Sequence, residues 1–429
     1  MKKKTSFVGL LPLVFFLILF MGSGILTGNF SSMPLLVAFT LSAAFSLLLD
    51  KKDAKTSLSK KVDIFAKAAG EPTIMVMVII FILAGAFYSI ADAMGAVTSI
   101  VNMGLSVLPS NMLLPGLFVV GSILSFSMGT SMGTVTALAP IGVGIATQTG
   151  MGLPLVLGTV VGGAMFGDNL SFISDTTIAS TRTQGVEMRD KFKSNSVIVL
   201  PAFVITIIIL TFLSGGNVQL SPHEYSLIRI IPYVAIIISA VVGLNVMVVL
   251  AIGISAGSVI GLLMGSFNIV EMLSVLQRGM VSMEDLALIS IMVGGLVGLM
   301  HYYGGIEFLL EKITSRVKTK KGAEIGIAAL VSLIDITTTN NTIAIITSGP
   351  LAKDLSDEYM VSKVKTASIL DIFSSAFQGI SPYAAQILLA ATIGKISPMK
   401  IIPFSIYSYL MIVCGLLSIY LDLPKIKYK

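Results

Sequence analysis

Six apolar stretches, Val8–Gly28, Met33–Leu49, Thr73–Ala91, Ser196–Leu213, Ile230–Gly243 and Ile402–Leu421, mark out the chain. Most reach the ~17–25 residues a helix needs to cross the hydrocarbon layer of a bilayer. No water is available there to satisfy backbone N–H and C=O groups, so runs this apolar must be helical. Hydrophobic residues make up 55% of the 429 and charged residues 12%, too little polar surface to cover a globule of this size. The chain reads as an all-α integral membrane protein, multi-pass, with lipid as its main solvent. Met1-Lys-Lys-Lys followed by an apolar run could be a signal peptide. Its core of ~20 residues, with no small-x-small site after it, favours an uncleaved first span. The single cysteine, Cys414, lies in the last apolar run and reads as a packing residue. The net charge of +6 comes from residues in short loops between spans, so it orients the chain and gives no reason to expect nucleic acid.

An internal repeat runs through the sequence at an offset of 210 residues. Gly85 matches Gly295, Gly95 matches Gly305, Pro140 matches Pro350 and Ser171 matches Ser381. The implied halves are 1–215 and 216–429. With the N-terminus cytoplasmic, 24 of the 28 Lys and Arg residues fall in inside segments: Lys2–Lys4, Lys51–Lys67, Arg182–Lys193, Lys312–Lys321, Lys353–Lys365 and Lys425–Lys429. Arg229, Arg278, Lys395 and Lys400 fall outside. This placement requires an odd number of crossings in each half, about five helices plus one re-entrant hairpin, so the second half is expected to be inverted relative to the first. Inverted repeats characterise secondary transporters and place the binding site near the midplane where the halves meet.

Polar residues interrupt each half twice. The first interruption is a hairpin tip, Ser127–Thr136 within a hairpin at about 112–150 and Asp335–Thr347 within one at about 324–352. Glycine, hydroxyls and amides weaken a helix there, and irregular backbone at membrane depth requires surrounding protein or a water-filled cavity. Small-residue packing between helices is the competing account, weaker for the adjacent amides Asn340 and Asn341 than for the glycines. The second interruption is a broken helix, 154–181 with Gly167-Asp-Asn-Leu-Ser-Phe-Ile-Ser-Asp-Thr-Thr, and 366–393 with Gln378-Gly-Ile-Ser-Pro-Tyr-Ala-Ala-Gln. Pro382 breaks the second, and the repeat suggests the first breaks as well.

A carboxylate at mid-membrane costs ~2.5–3.5 kcal/mol on insertion scales, so Asp168 and Asp175 are functional candidates. Structural alternatives are an N-cap role for Asp168 and an ion pair of Asp175 with Arg182. Asp335 lies one arm below the second tip, Asp371 within the apolar run before Gln378, and Asp92 near the outer end of its span. Carboxylates, hydroxyls, amides and carbonyls are hard ligands suited to sodium. His223 and His301 are isolated. The sequence has no visible nucleotide-binding loop, Ser-His-Asp order or zinc spacing, which leaves an ATP-driven pump or an enzyme little support and gives no reason to expect a cofactor.

Phe166-Gly-Asp-Asn-Leu-Ser-Phe-Ile-Ser-Asp-Thr-Thr, with Gly129-Thr-Ser-Met-Gly-Thr before it and Gly379-Ile-Ser-Pro-Tyr after it, resembles the NhaC-type sodium/proton antiporter family over essentially the whole chain. The resemblance implies the ion transporter superfamily fold, with two inverted halves, each carrying a re-entrant hairpin and a broken helix. It also implies a homodimer with a scaffold and an elevator-like transport domain, while the charge placement puts both termini on the cytoplasmic side of what is expected to be a bacterial cytoplasmic membrane. Residue by residue it implies sodium ligation around Asp168, Asn169, Ser171 and Asp175 with the hairpin residues Thr130, Ser131 and Thr134. A second cluster is Thr338, Thr339, Asn340, Asn341 and Thr342 with Ser381, to which Asp335 and Gln378 add on their own placement. The family usually has proline where this chain has Phe172, so the first break is expected to rest on Gly167 and the polar run.

The leading expectation is exchange of sodium for protons on a shared carboxylate, Asp168 or Asp175, with sodium as the transported ion. The rival is sodium-coupled movement of an amino acid or small carboxylate held between the two clusters. A passive channel has no repeated filter to support it.

Overall fold

The computed structural model describes residues 5–27, 32–50, 56–107, 109–171, 174–214, 224–242, 244–315 and 317–425. Among these residues every regular element is helical. The first ten α-helices are α1 (Leu11–Thr27), α2 (Leu35–Leu48), α3 (Leu58–Ala69), α4 (Pro72–Ala93), α5 (Ala96–Val107), α6 (Leu113–Met128), α7 (Ser131–Thr149), α8 (Leu153–Leu170), α9 (Asp175–Gln184) and α10 (Met188–Leu213). They are followed by α11 (Leu227–Val241), α12 (Val246–Leu263), α13 (Ile269–Val281), α14 (Glu284–Tyr302), α15 (Gly305–Thr314), α16 (Lys320–Thr338), α17 (Asn341–Glu358), α18 (Lys363–Gln378), α19 (Ala385–Gly394), α20 (Pro398–Ile401) and α21 (Ile406–Tyr420). Helices α7 to α10 start at 131, 153, 175 and 188, and α17 to α20 start at 341, 363, 385 and 398, each 210 residues later.

Six helical runs among the described residues are long and apolar enough to cross a membrane. Two of them show how the sequence divides its surfaces. In α10, Leu200, Val204, Ile208 and Phe212 are exposed at four-residue spacing, while Ser194, Asn195, Val199, Ala202 and Thr206 are buried. An apolar stripe facing outward with polar groups facing inward reverses the pattern of a soluble helix and suits lipid. The run α8–α9 is almost wholly buried and forms the centre of the body.

Helices from the two ends of the chain interleave. The hairpin α6–α7 packs on α8, and α7 also packs on α19, while the hairpin α16–α17 packs on α18, and α17 also packs on α9. Farther out, α4 packs on α13 and α14 on α3. Small residues make these approaches possible: a Cβ on Gly85 of α4 would lie 2.1 Å from the Gly279 carbonyl oxygen, and one on Gly295 of α14 would lie 2.4 Å from the Phe65 ring. The two glycines that align at the 210-residue offset therefore do the same job in two contacts.

Gly167 differs from expectation. It lies inside α8, and a Cβ there would lie 2.1 Å from Ser125 Oγ on α6, so this glycine lets α8 approach the hairpin. The helix breaks after Leu170, at the polar run itself. Phe172 lies outside the described residues.

Candidate functional site

Four helix breaks converge on the centre of the molecule. At the first hairpin, Gly129 takes a left-handed conformation (φ 65°) and Thr130 an extended one before α7 begins. At the second hairpin, Thr339 (φ 54°) and Asn340 do the same before α17. A β-branched residue at positive φ is strained and needs its surroundings to hold it. Here Gln378 Nε2 donates to the Thr339 carbonyl at 3.0 Å, and the Asn340 side chain caps α17 by accepting from the Ile343 N–H. The third break lies between Leu170 and Asp175, where Ser174 caps α9. The fourth spans residues 379–384, between α18 and α19, and contains Pro382.

Asp168 sits in the last turn of α8 with 4% of its surface exposed. Its Oδ2 accepts from Ser131 Oγ at 2.7 Å and from Asn341 Nδ2 at 3.3 Å, one donor from the start of each hairpin's second arm. Ser131 in turn accepts from Gln386 Nε2 at 2.9 Å. Gln386 Oε1 accepts from Gln378 Nε2 at 3.1 Å, and Gln378 reaches the strained Thr339 carbonyl. A continuous polar relay thus runs from Asp168 through all four breaks. The Asp168 carbonyl, freed where α8 ends, accepts from Thr176 Oγ1 at 2.8 Å and Ser174 Oγ at 3.2 Å. These hydroxyls satisfy a helix end that would otherwise be unpaired.

The remaining candidates divide around this relay. Asn169 turns the other way: its Oδ1 accepts from Tyr407 at 3.1 Å. Ser171 is buried at the break. The Thr134 hydroxyl bonds back to the Thr130 carbonyl, and Thr338 to the carbonyls of Ile334 and Asn340. Thr342 is half-buried beside Asn341, and Ser381 is buried. Asp335 is fully buried on α16, and neither carboxylate oxygen has a hydrogen-bond partner among the described residues. Asp175 is exposed in the first turn of α9, makes no ion pair with Arg182 among the described residues, and stands apart from the relay. Asp168 is not an N-cap, since the helix after the break is capped by Ser174.

Sequence reasoning missed Lys191, Asn195 and Gln386 and left Asp371 outside the site. Lys191 Nζ and Asp371 Oδ2 are 2.8 Å apart and both side chains are buried. The signal was available in part: Asp371 interrupts an apolar run, and Lys191 and Asn195 are one turn apart on one helix face. Lys191 was grouped with loop lysines because it lies close to them in sequence.

Beside the second hairpin tip, Met77, Ser290, Thr338, Thr339, Asn340 and Tyr383 help line a cavity of about 10 Å³. That is room for one water-sized body. Among the described residues no three His, Cys, Asp or Glu side chains group as a metal site.

A model of the Na+/H+ antiporter family matches residues 3–215 and 223–423. The chain belongs to the Na+/H+ antiporter family. Its antiporter relatives include the malate-2H(+)/Na(+)-lactate antiporter of Bacillus subtilis, 25% identical over 80% of this chain and 80% of that protein. The Na(+)/H(+) antiporter NhaC of Alkalihalophilus pseudofirmus is 24% identical over 77% of this chain and 79% of its own. Among solved structures, the Alcanivorax borkumensis YdaH transporter aligns with 98% of this chain and 99% of its own at 14% identity and a TM-score of 0.44, too low to fix a topology.

Proposed function

We propose that this antiporter exchanges sodium for protons across the membrane, with Asp168 as the carboxylate that takes either ion. The observation that carries the reading is the position of Asp168, buried where α8 breaks and held by donors from two different hairpins. A carboxylate, a serine hydroxyl, an amide and the carbonyls of a helix C-terminus are hard donors at a negative dipole end, which suits a small cation. One carboxylate balances one monovalent charge, so sodium and a proton exclude each other on it. If the site changes sides when loaded with either ion, each gradient drives the other without ATP.

The second cluster, Asp335 with Thr338, Thr339, Asn340, Thr342 and Ser381, completes the proposed machinery. An ionised carboxylate without a hydrogen-bond partner is costly in a dry interior, and Asp335 has none among the described residues, so it calls for a proton or a cation as its partner. The 210-residue recurrence of helix starts and the crossed packing of hairpins support two inverted halves, 1–215 and 216–429. Cytoplasmic termini, a bacterial cytoplasmic membrane, a homodimer and elevator-like movement of the hairpins with α8 and α18 belong to the same proposal.

Proteoliposomes with an internal pH-sensitive dye test it. An imposed sodium gradient should move protons in the wild type and fail to do so in Asp168→Asn. Absence of sodium-driven proton movement in the wild type, or normal exchange by the variant, overturns the reading. The name of the Bacillus subtilis relative favours one second reading, in which a small carboxylate is carried as well. Sodium-dependent counterflow of labelled malate or lactate would establish it.

A further inference from the structure

Lys191 lies in the first turn of α10 and is 1% exposed. Its ammonium has three N–H donors. It meets three oxygens on three different helices: Asp371 Oδ2 on α18 at 2.8 Å, Thr177 Oγ1 on α9 at 2.7 Å and the Asn169 carbonyl on α8 at 3.0 Å. Asn195, one turn along α10, donates to two of the same groups, Asn169 O and Asp371 Oδ2, each at 2.7 Å. A carboxylate, a hydroxyl and a carbonyl at a helix C-terminus are the donors a monovalent metal cation would take. An ammonium with all three donors used fills the same role. The arrangement has no counterpart at the 210-residue offset, where Lys191 corresponds to Ile401 and Asp371 to Val161.

We propose that the Lys191 ammonium is a resident cation occupying a second cation site, formed by Asp371, Thr177 and the Asn169 carbonyl, beside the Asp168 site. The chain supplies by covalent attachment the charge that a free ion would otherwise bring. Asp371 is thereby balanced inside the protein and takes no ion from solution. On the reading that Asp168 is the exchanging carboxylate, this leaves Asp168, of the neighbouring carboxylates Asp168 and Asp371, as the one that trades ions with the two sides.

Removing the tether should turn the site into one that binds cations from solution. Thermal unfolding of purified full-length Lys191→Ala in detergent is the test, with methylammonium, ethylammonium or sodium chloride added and choline chloride as the ionic-strength control. The expected result is a Tm that climbs with alkylammonium or sodium in the variant, by more than in the wild type, and an increment that disappears in Lys191→Ala/Asp371→Asn. A folded Lys191→Ala whose response to every cation equals that of the wild type overturns the proposal. This readout does not depend on transport, so it stands whether or not sodium moves protons.

Should Lys191→Ala not fold, proteoliposome assays of two other variants decide. Asp371→Asn leaves an unbalanced ammonium next to Asp168 and should raise the sodium half-saturation about tenfold or more. Adding Lys191→Ala to it should recover most of that loss. A double variant as weak as the single one, or weaker, is what a purely structural pair would give and overturns the proposal.

Discussion

Asp168 and Gln378 hold equivalent places, 210 residues apart, in the last turns of the two central helices that break, and they do opposite things there. Asp168 receives hydrogen bonds, from Ser131 and Asn341. Gln378 gives them, to the Thr339 carbonyl and to Gln386, and its own Oε1 has no hydrogen-bond partner among the described residues. Two similar breaks have thus been built into one charged site and one neutral brace. The brace holds the strained tip of the second hairpin, while the charged site collects donors from both. A pair of identical sites would have placed two like charges on one relay, at a mutual cost that an amide avoids. On the proposed reading, the difference puts the ion chemistry in α8 and the positional control in α18.

Removing the charge from Asp168 should break that division most severely. Asp168→Asn keeps the shape and an acceptor for Ser131, so the fold should persist. The loss of a charged, hydrogen-bonded contact to the ion is worth about 3 kcal/mol or more, which corresponds to a fall of at least about a hundredfold in sodium-driven proton movement. Retained exchange would mean that the charged site lies elsewhere. The converse substitution, Gln378→Glu, should make the two breaks alike. Its carboxylate would face the Thr339 carbonyl and Gln386 Oε1 as an acceptor, at a cost of about 2–4 kcal/mol for two lost hydrogen bonds. Sodium should offset part of this, so the variant's Tm is expected to be lower than the wild type's without sodium and to rise more steeply as sodium is added. Equal sodium responses in the two proteins would count against a cation reaching the second break.

The same contrast separates what could be read in the sequence from what could not. The helix breaks were legible because each is written locally: Gly129, the Thr-Asn run before Asn341, the Ser-rich stretch after Leu170, and Pro382. Asp168 was legible as a candidate because a carboxylate in an apolar context is expensive wherever the chain goes, and its burial between donors from two hairpins is what the structure adds. Gly167 was misread because a glycine that permits close packing looks, in sequence, like a glycine that ends a helix. The Lys191–Asp371 pair spans 180 residues, and the only local sign that separates Lys191 from the loop lysines beside it is Asn195 one turn along the same helix face. Gln386 lies in a mostly apolar helix, where an amide can equally be a packing residue, and its part in the relay appears once α19 is seen against α7.

A smaller change sharpens the comparison from the donor side. Ser131→Ala removes the 2.7 Å hydrogen bond to Asp168 and also the acceptor for Gln386, so it cuts the relay between charged site and brace at one point. A hydrogen bond to a charged group contributes about 1.5–3 kcal/mol, so sodium half-saturation should rise about tenfold while maximal exchange survives. Unchanged half-saturation would mean that Asp168 is positioned by α8 alone.

The smallest effect is expected far from both breaks and provides the control. At the end of α21, Asp422 Oδ1 accepts from Lys365 Nζ at 2.8 Å and lies 3.6 Å from Lys320, which ties the end of the described chain to α18 and α16. The hydrogen bond from Lys365 is the main reason the Asp422 carboxyl is held below its ordinary range. A carboxyl depressed in the folded state stabilises that state fully above its unfolded value, and the contribution fades as pH falls through the depressed one. Asp422 is 49% exposed, so solvent screening keeps the pair to under about 1 kcal/mol. Asp422→Asn should therefore lower the Tm slightly at neutral pH and converge with the wild type as pH falls below the carboxylate range, while sodium half-saturation stays the same. Because Lys365 also contacts the buried Glu324 at 3.2 Å, it keeps a carboxylate partner in the variant, which limits the loss further. A shift in sodium affinity comparable to that of Ser131→Ala would mean that charge at the end of α21 is felt at Asp168, and the charged site would then be set by the whole protein's field instead of by the two hairpin tips.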